Sequence, residues 1–123
     1  MSSESYHEPL ELLSEPTRNL HRAIVSLVEE LEAVDWYNQR AEACSDPDLR
    51  AVLMHHRNEE IEHAMMNLEW IRRNEGIFEQ HMRTYLFSTG DITKIEAAKK
   101  AGGEGGAAGA AGGVLKIGSL RQG

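Results

Sequence analysis

The sequence predicts an all-α chain, in which an antiparallel two-helix hairpin is followed by a short C-terminal helix. Three observations lead to this fold class. Two long segments carry apolar residues at helical spacing, a tight turn containing a proline separates them, and no segment shows the alternating pattern of a strand. Because the foldable part is short, we expect the chain to bury a full core only as an oligomer.

The first helix is expected to begin after Ser14, an N-cap residue followed by Glu15 and Pro16, and to run to about Ala43. Residues 1–13, which precede it, show little pattern. The apolar residues of the helix keep the spacing of a single face; they are Leu20, Ile24, Leu27, Leu31 and Val34.

The second helix is expected after the turn that begins at Cys44. Asp46 is suited to cap this helix, and Pro47 is suited to its first position. The helix should run to about Arg73, where two arginines face the negative end of the helix dipole, and Asn74 and Gly76 should stop it.

Shorter elements should follow the hairpin. We expect a third helix over about 77–87 and one more short turn of helix over 92–98, capped by Asp91. The composition then becomes rich in glycine and alanine. We therefore predict a helical domain over 1–96, a flexible linker over 97–113 and a separate C-terminal segment over 114–123.

Composition excludes several classes of function. The net charge of −7 argues against a nucleic-acid-binding protein and suits a protein that attracts cations. No apolar run approaches the length needed to span a membrane, and the N-terminal residues lack the pattern of a secretory signal. With Cys44 as the one cysteine, no internal disulfide is possible, so we expect a soluble protein in a reducing, cytoplasmic compartment.

A candidate metal-binding pair lies on the second helix. Glu60 and His63 are three residues apart, so their side chains share one helical face. The spacing alone is weak, because this composition gives about one such pair by chance, and Glu4 and His7 form another. Its placement adds weight, because the pair lies on the predicted inward stripe: Leu49, Val52, Leu53, His56, Glu60, His63, Ala64, Asn67 and Ile71.

Charge makes the metal hypothesis specific. Glu30 lies at the margin of the inward stripe of the first helix, and inward carboxylates are costly unless a cation offsets them. Iron, manganese and zinc accept carboxylate and imidazole donors. Two chains together would supply the Glu and Glu-x-x-His set of a four-helix di-iron bundle, with either Glu30 or Glu60 as the bridging carboxylate.

A plainer interpretation exists for the same residues. A single inward histidine is usually a core residue with a hydrogen bond, and a glutamate at a stripe edge is usually solvated. The runs VEELE and EEIEH would then be charged faces of the hairpin. Spacing alone does not decide between the two interpretations.

Longer stretches of the chain resemble a known family. The segments VEELEAVDWY (28–37), NEEIEHAMMNLEWIRR (58–73) and MRTYLF (82–87) are similar to those of encapsulated ferritins, and the resemblance covers about residues 7–96. The tail resembles the short peptide by which cargo docks inside an encapsulin shell, through Leu115, Ile117, Gly118, Ser119 and Leu120.

The resemblance implies a ferroxidase whose di-iron centre forms between two hairpins, commonly within a ring of five dimers. Zinc, manganese or calcium could substitute for iron. The resemblance assigns Glu30, Glu60 and His63 as iron ligands, places Trp36 and Tyr37 nearby, and gives a second, more exposed metal site to Glu29 and Glu32. His56 departs from the pattern, since relatives more often carry Asn there, and it is a further candidate ligand or neighbour of the ligands.

The leading hypothesis is therefore oxidation of Fe(II) to Fe(III), with the product stored inside an encapsulin shell in whose lumen the protein resides. Two other hypotheses stay open. One is a di-iron peroxidase similar to rubrerythrins, although the cysteine-rich iron domain common in that group is absent from this sequence. The other is a helical assembly or adaptor protein without enzymatic activity, which metal analysis of the oligomer would identify.

Overall fold

The computed structural model describes residues 5–101. Within this range the chain forms four α-helices, α1 (Glu15–Ala43), α2 (Pro47–Asn74), α3 (Gly76–Tyr85) and α4 (Ile95–Ala101), and two short 3-10 helices, Leu10–Leu12 and Ile92–Lys94. No strand occurs in these residues, so the predicted all-α hairpin with a short C-terminal helix is confirmed. The described helices include none with the length and apolar character of a membrane span.

Local capping interactions fix both ends of the hairpin turn and the start of α1. The Ser14 hydroxyl accepts a hydrogen bond from the Thr17 amide at 3.3 Å, and the Asp46 carboxylate accepts one from the Leu49 amide at 2.7 Å. The Arg50 guanidinium donates to the Cys44 carbonyl at 2.6 and 3.0 Å, which ties the turn to α2. The predicted starts of both long helices are confirmed.

Helices α1 and α2 pack against each other in one antiparallel register. Glu30 faces His63 across the two helices, and Tyr37 faces His56. The two pairs lie seven positions apart on each helix, from 30 to 37 on α1 and from 56 to 63 on α2. Seven residues are two turns of a helix, or about 10 Å, so the second pair lies two turns from the first on the same helix faces.

The hairpin buries few side chains by itself. The buried apolar residues of the described range are Ala41, Ala64 and Ile71. Leu31, Leu49 and Val52 were predicted to face inward, but they are 51%, 50% and 50% exposed. Two helices meet along one line only, so the outer flank of each apolar stripe stays uncovered in a single hairpin.

The chain divides into two compact units, the first ending at Glu79 and the second beginning at Gln80. At the end of the first unit, the Arg72 guanidinium donates to the Glu69 carboxylate at 2.7 and 2.8 Å and also to Glu79. These contacts join the last turn of α2 to the first turn of α3.

The second unit contains the later part of α3, the 3-10 turn and α4. The Asp91 carboxylate caps the 3-10 turn by accepting from the Thr93 amide at 2.9 Å, as predicted. Lys99 donates to the Thr84 hydroxyl at 2.8 Å and so connects α4 to α3.

Three predicted boundaries differ from the structure. Helix α3 ends at Tyr85 rather than at 87, because Phe87 adopts the left-handed conformation with φ 62°. Gly76 begins α3 instead of only stopping α2, since Glu75 intervenes as the cap between the two helices.

Residues 97–101 belong to α4 instead of beginning the linker, since alanine and lysine are strong helix formers. The remaining linker, 102–113, and the segment 114–123 lie outside the described residues.

Candidate metal centre

Three acidic and imidazole side chains converge between α1 and α2. Nδ1 of His63 lies 3.5 Å from Oε1 of Glu60 and 3.7 Å from Oε1 of Glu30. One ligand atom from each of these residues lies within 4.8 Å of the others. The structure therefore brings together the three residues that the sequence singled out as candidate ligands.

The helices position these side chains through simple geometry. Glu60 and His63 share a face of α2 because they are three residues apart. Glu30 reaches them from α1 because the antiparallel register puts it opposite His63. The site thus depends on the packing of two helices and not on any loop.

The two carboxylates of the cluster disturb each other. A hydrogen bond with Glu60 raises the pKa of Glu30, and partial burial together with the Glu60 charge raises it further. His63 opposes this shift, and Glu29 adds to it. The shift of the Glu30 pKa reflects two carboxyl groups held close together, and a bound cation would favour the ionised form of both. Two carboxylates and an imidazole are also a donor set that suits iron.

The cluster is open on one side in the single chain. The side chains of Glu60, Glu30 and His63 are 25%, 26% and 44% exposed. A four-helix di-iron bundle uses one Glu from each of two helices and one Glu-x-x-His pair from each of the other two. This hairpin supplies one helix of each kind, and therefore half of that ligand set.

His56 does not join the cluster. Its ring stacks on Tyr37, with the ring centroids 5.2 Å apart and the planes inclined by 25°. The Arg40 guanidinium lies 5.2 Å from the centroid of the same tyrosine ring. The structure places His56 and Tyr37 together as an aromatic pair that bridges the two helices.

The remaining predicted residues of α1 lie on its exposed surface. Glu29 and Glu32 are exposed and do not belong to the cluster. Trp36 is 51% exposed and lines a shallow pocket with Gln39 and Arg40. The predicted docking residues lie outside the described part of the chain.

Sequence reasoning passed over one neighbour of the cluster. Oε1 of Glu59 lies 4.0 Å from Nε2 of His63, the ring nitrogen that faces away from Glu30 and Glu60. The spacing of four residues between Glu59 and His63 is the signal that could have revealed it.

Comparison with known proteins agrees with the fold. The family described as EncFtn-like matches residues 5–89. The chain belongs to the EncFtn-like family. A protein named "Encapsulated ferritin-like protein" from Rhodospirillum rubrum is 60% identical over 126 residues, which cover 98% of this chain and 90% of that protein.

Two further relatives extend the family match. A "Ferritin-like protein" from Thermotoga maritima is 46% identical over 102 residues, covering 83% of this chain and 90% of that protein. The crystal structure of a protein from Nitrosomonas europaea has a TM-score of 0.70 and 56% identity, covering 72% of this chain and 97% of that chain. These EncFtn-like relationships confirm the resemblance to encapsulated ferritins and support an iron-related, ferritin-like function.

Proposed function

We propose that two copies of this chain form a di-iron ferroxidase centre from Glu30, Glu60 and His63 of each copy. The observation that carries the proposal is the convergence of these three side chains between α1 and α2. Their partly exposed, open arrangement is half of the ligand set that a four-helix di-iron bundle needs. The exposed Leu31, Leu49 and Val52 offer apolar surface for the second hairpin.

Iron is the substrate of the proposed reaction. Each Fe(II) ion gives up one electron and becomes Fe(III), and oxygen or peroxide accepts the electrons together with protons to form water or peroxide. The side chains hold two ions close together, and their negative charge favours the higher charge of the product. Zinc, manganese or calcium would occupy the same carboxylates in place of iron, and of these zinc and calcium have no accessible higher oxidation state.

The proposal extends to the rest of the assembly. The exposed Glu29 and Glu32 would bind metal on its way to the centre. The dimers would form a ring of five, and residues 114–123 would dock to the inner wall of an encapsulin shell that stores the product. The word "Encapsulated" in the name of the Rhodospirillum rubrum relative supports this partner.

Fe(II) oxidation by the purified oligomer tests the proposed activity. Glu60→Ala and His63→Ala should abolish oxidation, because each removes one ligand from both halves of the centre. Glu42→Ala, a change of the same kind at an exposed position of α1, should leave the rate unchanged. Full activity in the Glu60 or His63 variant would refute the assignment.

Co-expression with an encapsulin shell protein tests the proposed partner separately. Deletion of residues 114–123 should leave Fe(II) oxidation intact and abolish loading into the shell. Loading that persists without these residues would refute the docking assignment while leaving the ferroxidase proposal in place.

A further inference from the structure

Helix α2 carries a row of three polar side chains at four-residue spacing, His55, Glu59 and His63. The carboxylate of Glu59 lies between the two imidazoles. Its Oε2 is 4.0 Å from Nε2 of His55, and its Oε1 is 4.0 Å from Nε2 of His63. The row therefore leads from the exposed His55 to the candidate metal centre.

His63 presents its two ring nitrogens to different carboxylates. Nδ1 faces Glu60 and Glu30 at 3.5 and 3.7 Å, whereas Nε2 faces Glu59. A neutral imidazole has a lone pair on one nitrogen and a hydrogen on the other, so the nitrogen that binds a metal must be the one without hydrogen. The geometry gives Nδ1 to the metal and leaves Nε2 as the donor.

We propose that Glu59 is a positioning residue for the metal centre. Its carboxylate accepts a hydrogen bond from Nε2–H of His63 and holds the ring with Nδ1 directed at the ion shared with Glu30 and Glu60. The inference rests on the proposed metal centre, and it adds a residue that binds no metal there itself. A carboxylate in this position also makes the imidazole a stronger donor to the metal.

The side chains have room to close this contact. The present separation of 4.0 Å exceeds a hydrogen bond, which spans about 2.7–3.2 Å. Glu59 and His63 are 48% and 44% exposed, so a small rotation of either side chain is not blocked by close packing. Since the two residues are four apart on one helix, the closed arrangement requires no change of backbone.

Co(II) binding tests the proposal without relying on iron oxidation. We expect Glu59→Ala to weaken Co(II) binding by the oligomer about 10–100-fold, the usual effect of removing such a partner. Glu59→Gln keeps a neutral acceptor of nearly the same shape, so its loss should be smaller. The matched control is Glu62→Gln, an exposed glutamate on the same helix, which should bind Co(II) as the unaltered chain does.

Proton NMR of the Co(II)-loaded oligomer gives a second measurement. The Nε2–H proton of a coordinated His63 is shifted by the cobalt, appears in water and disappears in deuterium oxide. Its exchange with solvent should be slow in the unaltered chain, faster in Glu59→Gln and fastest in Glu59→Ala. A purely structural role for Glu59 would not change this exchange in a correctly folded variant.

The outcomes separate this inference from the proposed function. Equal Co(II) affinity and equal exchange in Glu59→Ala and in the unaltered chain would overturn the role of Glu59 alone. If Glu59→Ala fails to fold, the same comparison is made with Glu59→Gln, and an affinity and exchange equal to those of the unaltered chain overturn the role. If His63→Ala leaves Co(II) binding unchanged, the proposed centre fails, and the role of Glu59 fails with it.

Discussion

Nδ1 of His63 on α2 lies 3.7 Å from Oε1 of Glu30 on α1. This contact joins the two helices of the hairpin at the candidate metal centre. It places a side chain of α1 beside the Glu60 and His63 pair. The ligand cluster therefore forms when α1 packs against α2. This packing brings Glu30 close to Glu60, which raises the pKa of Glu30.

Glu30→Gln should stabilise the metal-free chain and weaken its metal binding. The amide removes one of two adjacent negative charges and can donate a hydrogen bond to the Glu60 carboxylate. We expect the melting temperature at neutral pH to rise by a few degrees, which for a domain of this size corresponds to about 1 kcal/mol or less. Thermal unfolding with chelator and Co(II) titration measure the two effects.

The control for this change is Asp35→Asn, which removes an equal charge from an exposed position of α1. It should alter neither melting temperature nor Co(II) affinity appreciably. A Glu30→Gln variant that is less stable without metal would contradict the account of repulsion between the carboxylates.

The ionised Glu69 should stabilise the fold at neutral pH and lose this contribution in strong acid. Hydrogen bonds from Arg72 and then Arg73 lower its pKa from 4.5 to about 2. A lowered folded-state pKa means that the contribution is complete above the unfolded value and is lost as pH falls from about 4.5 through 2. Since the Glu69 side chain is 41% exposed, solvent screening keeps the contribution below about 1 kcal/mol.

Melting temperatures between pH 5 and pH 2 test this dependence. Glu69→Gln should melt lower than the unaltered chain at pH 5, and the difference should shrink toward zero as pH approaches 2. Glu62→Gln serves as the control, because the charge lost is equal and no arginine contact is removed. A difference between the Glu69 variant and the unaltered chain that stays constant with pH would exclude the ion pairs as its cause.

Local signals in the sequence predicted the hairpin well. Ser14, Asp46 and Pro47 mark helix starts through interactions within a few residues, and such interactions are the same in any fold. Glu60 and His63 could be placed on one face for the same reason. Their convergence with Glu30 also requires the antiparallel register of α1 on α2, which the structure supplies.

The sequence patterns did not predict contacts between residues that are far apart in the chain. The stacking of Tyr37 on His56 depends on how α1 slides along α2, which periodicity does not specify. Periodicity identifies the apolar faces of Leu31 and Leu49 but not which neighbour covers them, and in one hairpin both are about half exposed. The role of Glu59 depends on which nitrogen of His63 faces the cluster, which also requires coordinates.

Phe87→Asn should stabilise the second unit. Phe87 has a φ of 62° and is 103% exposed, so in the single chain it has backbone strain and no burial to offset the strain. The left-handed conformation costs a residue with a bulky side chain about 1–2 kcal/mol, and asparagine tolerates it better. We expect a gain of about 1 kcal/mol or less in the free energy of unfolding, measured by denaturant titration at low protein concentration.

Ile92→Asn is the matched control, because Ile92 is also an exposed apolar residue, at 68%, and lies in a 3-10 turn without positive φ. It should give no gain. If Phe87→Asn stabilises the dilute chain but weakens the oligomer, Phe87 is covered by another copy. A loss of stability in the dilute chain would show that the strain is not the dominant effect.

Replacing His56 with asparagine separates a structural role of His56 from a ligand role. The His56 ring stacks on Tyr37 and lies outside the Glu30, Glu60 and His63 cluster. His56→Asn should therefore lower the melting temperature, since an aromatic pair contributes about 0.5–1.5 kcal/mol, while Co(II) affinity stays unchanged. His63→Asn should instead weaken Co(II) binding and change the melting temperature little, because it removes a metal donor and little packing from a partly exposed side chain. If His56→Asn weakens Co(II) binding as much as His63→Asn does, His56 must reach the metal in the oligomer, and the stacked arrangement describes only the isolated chain.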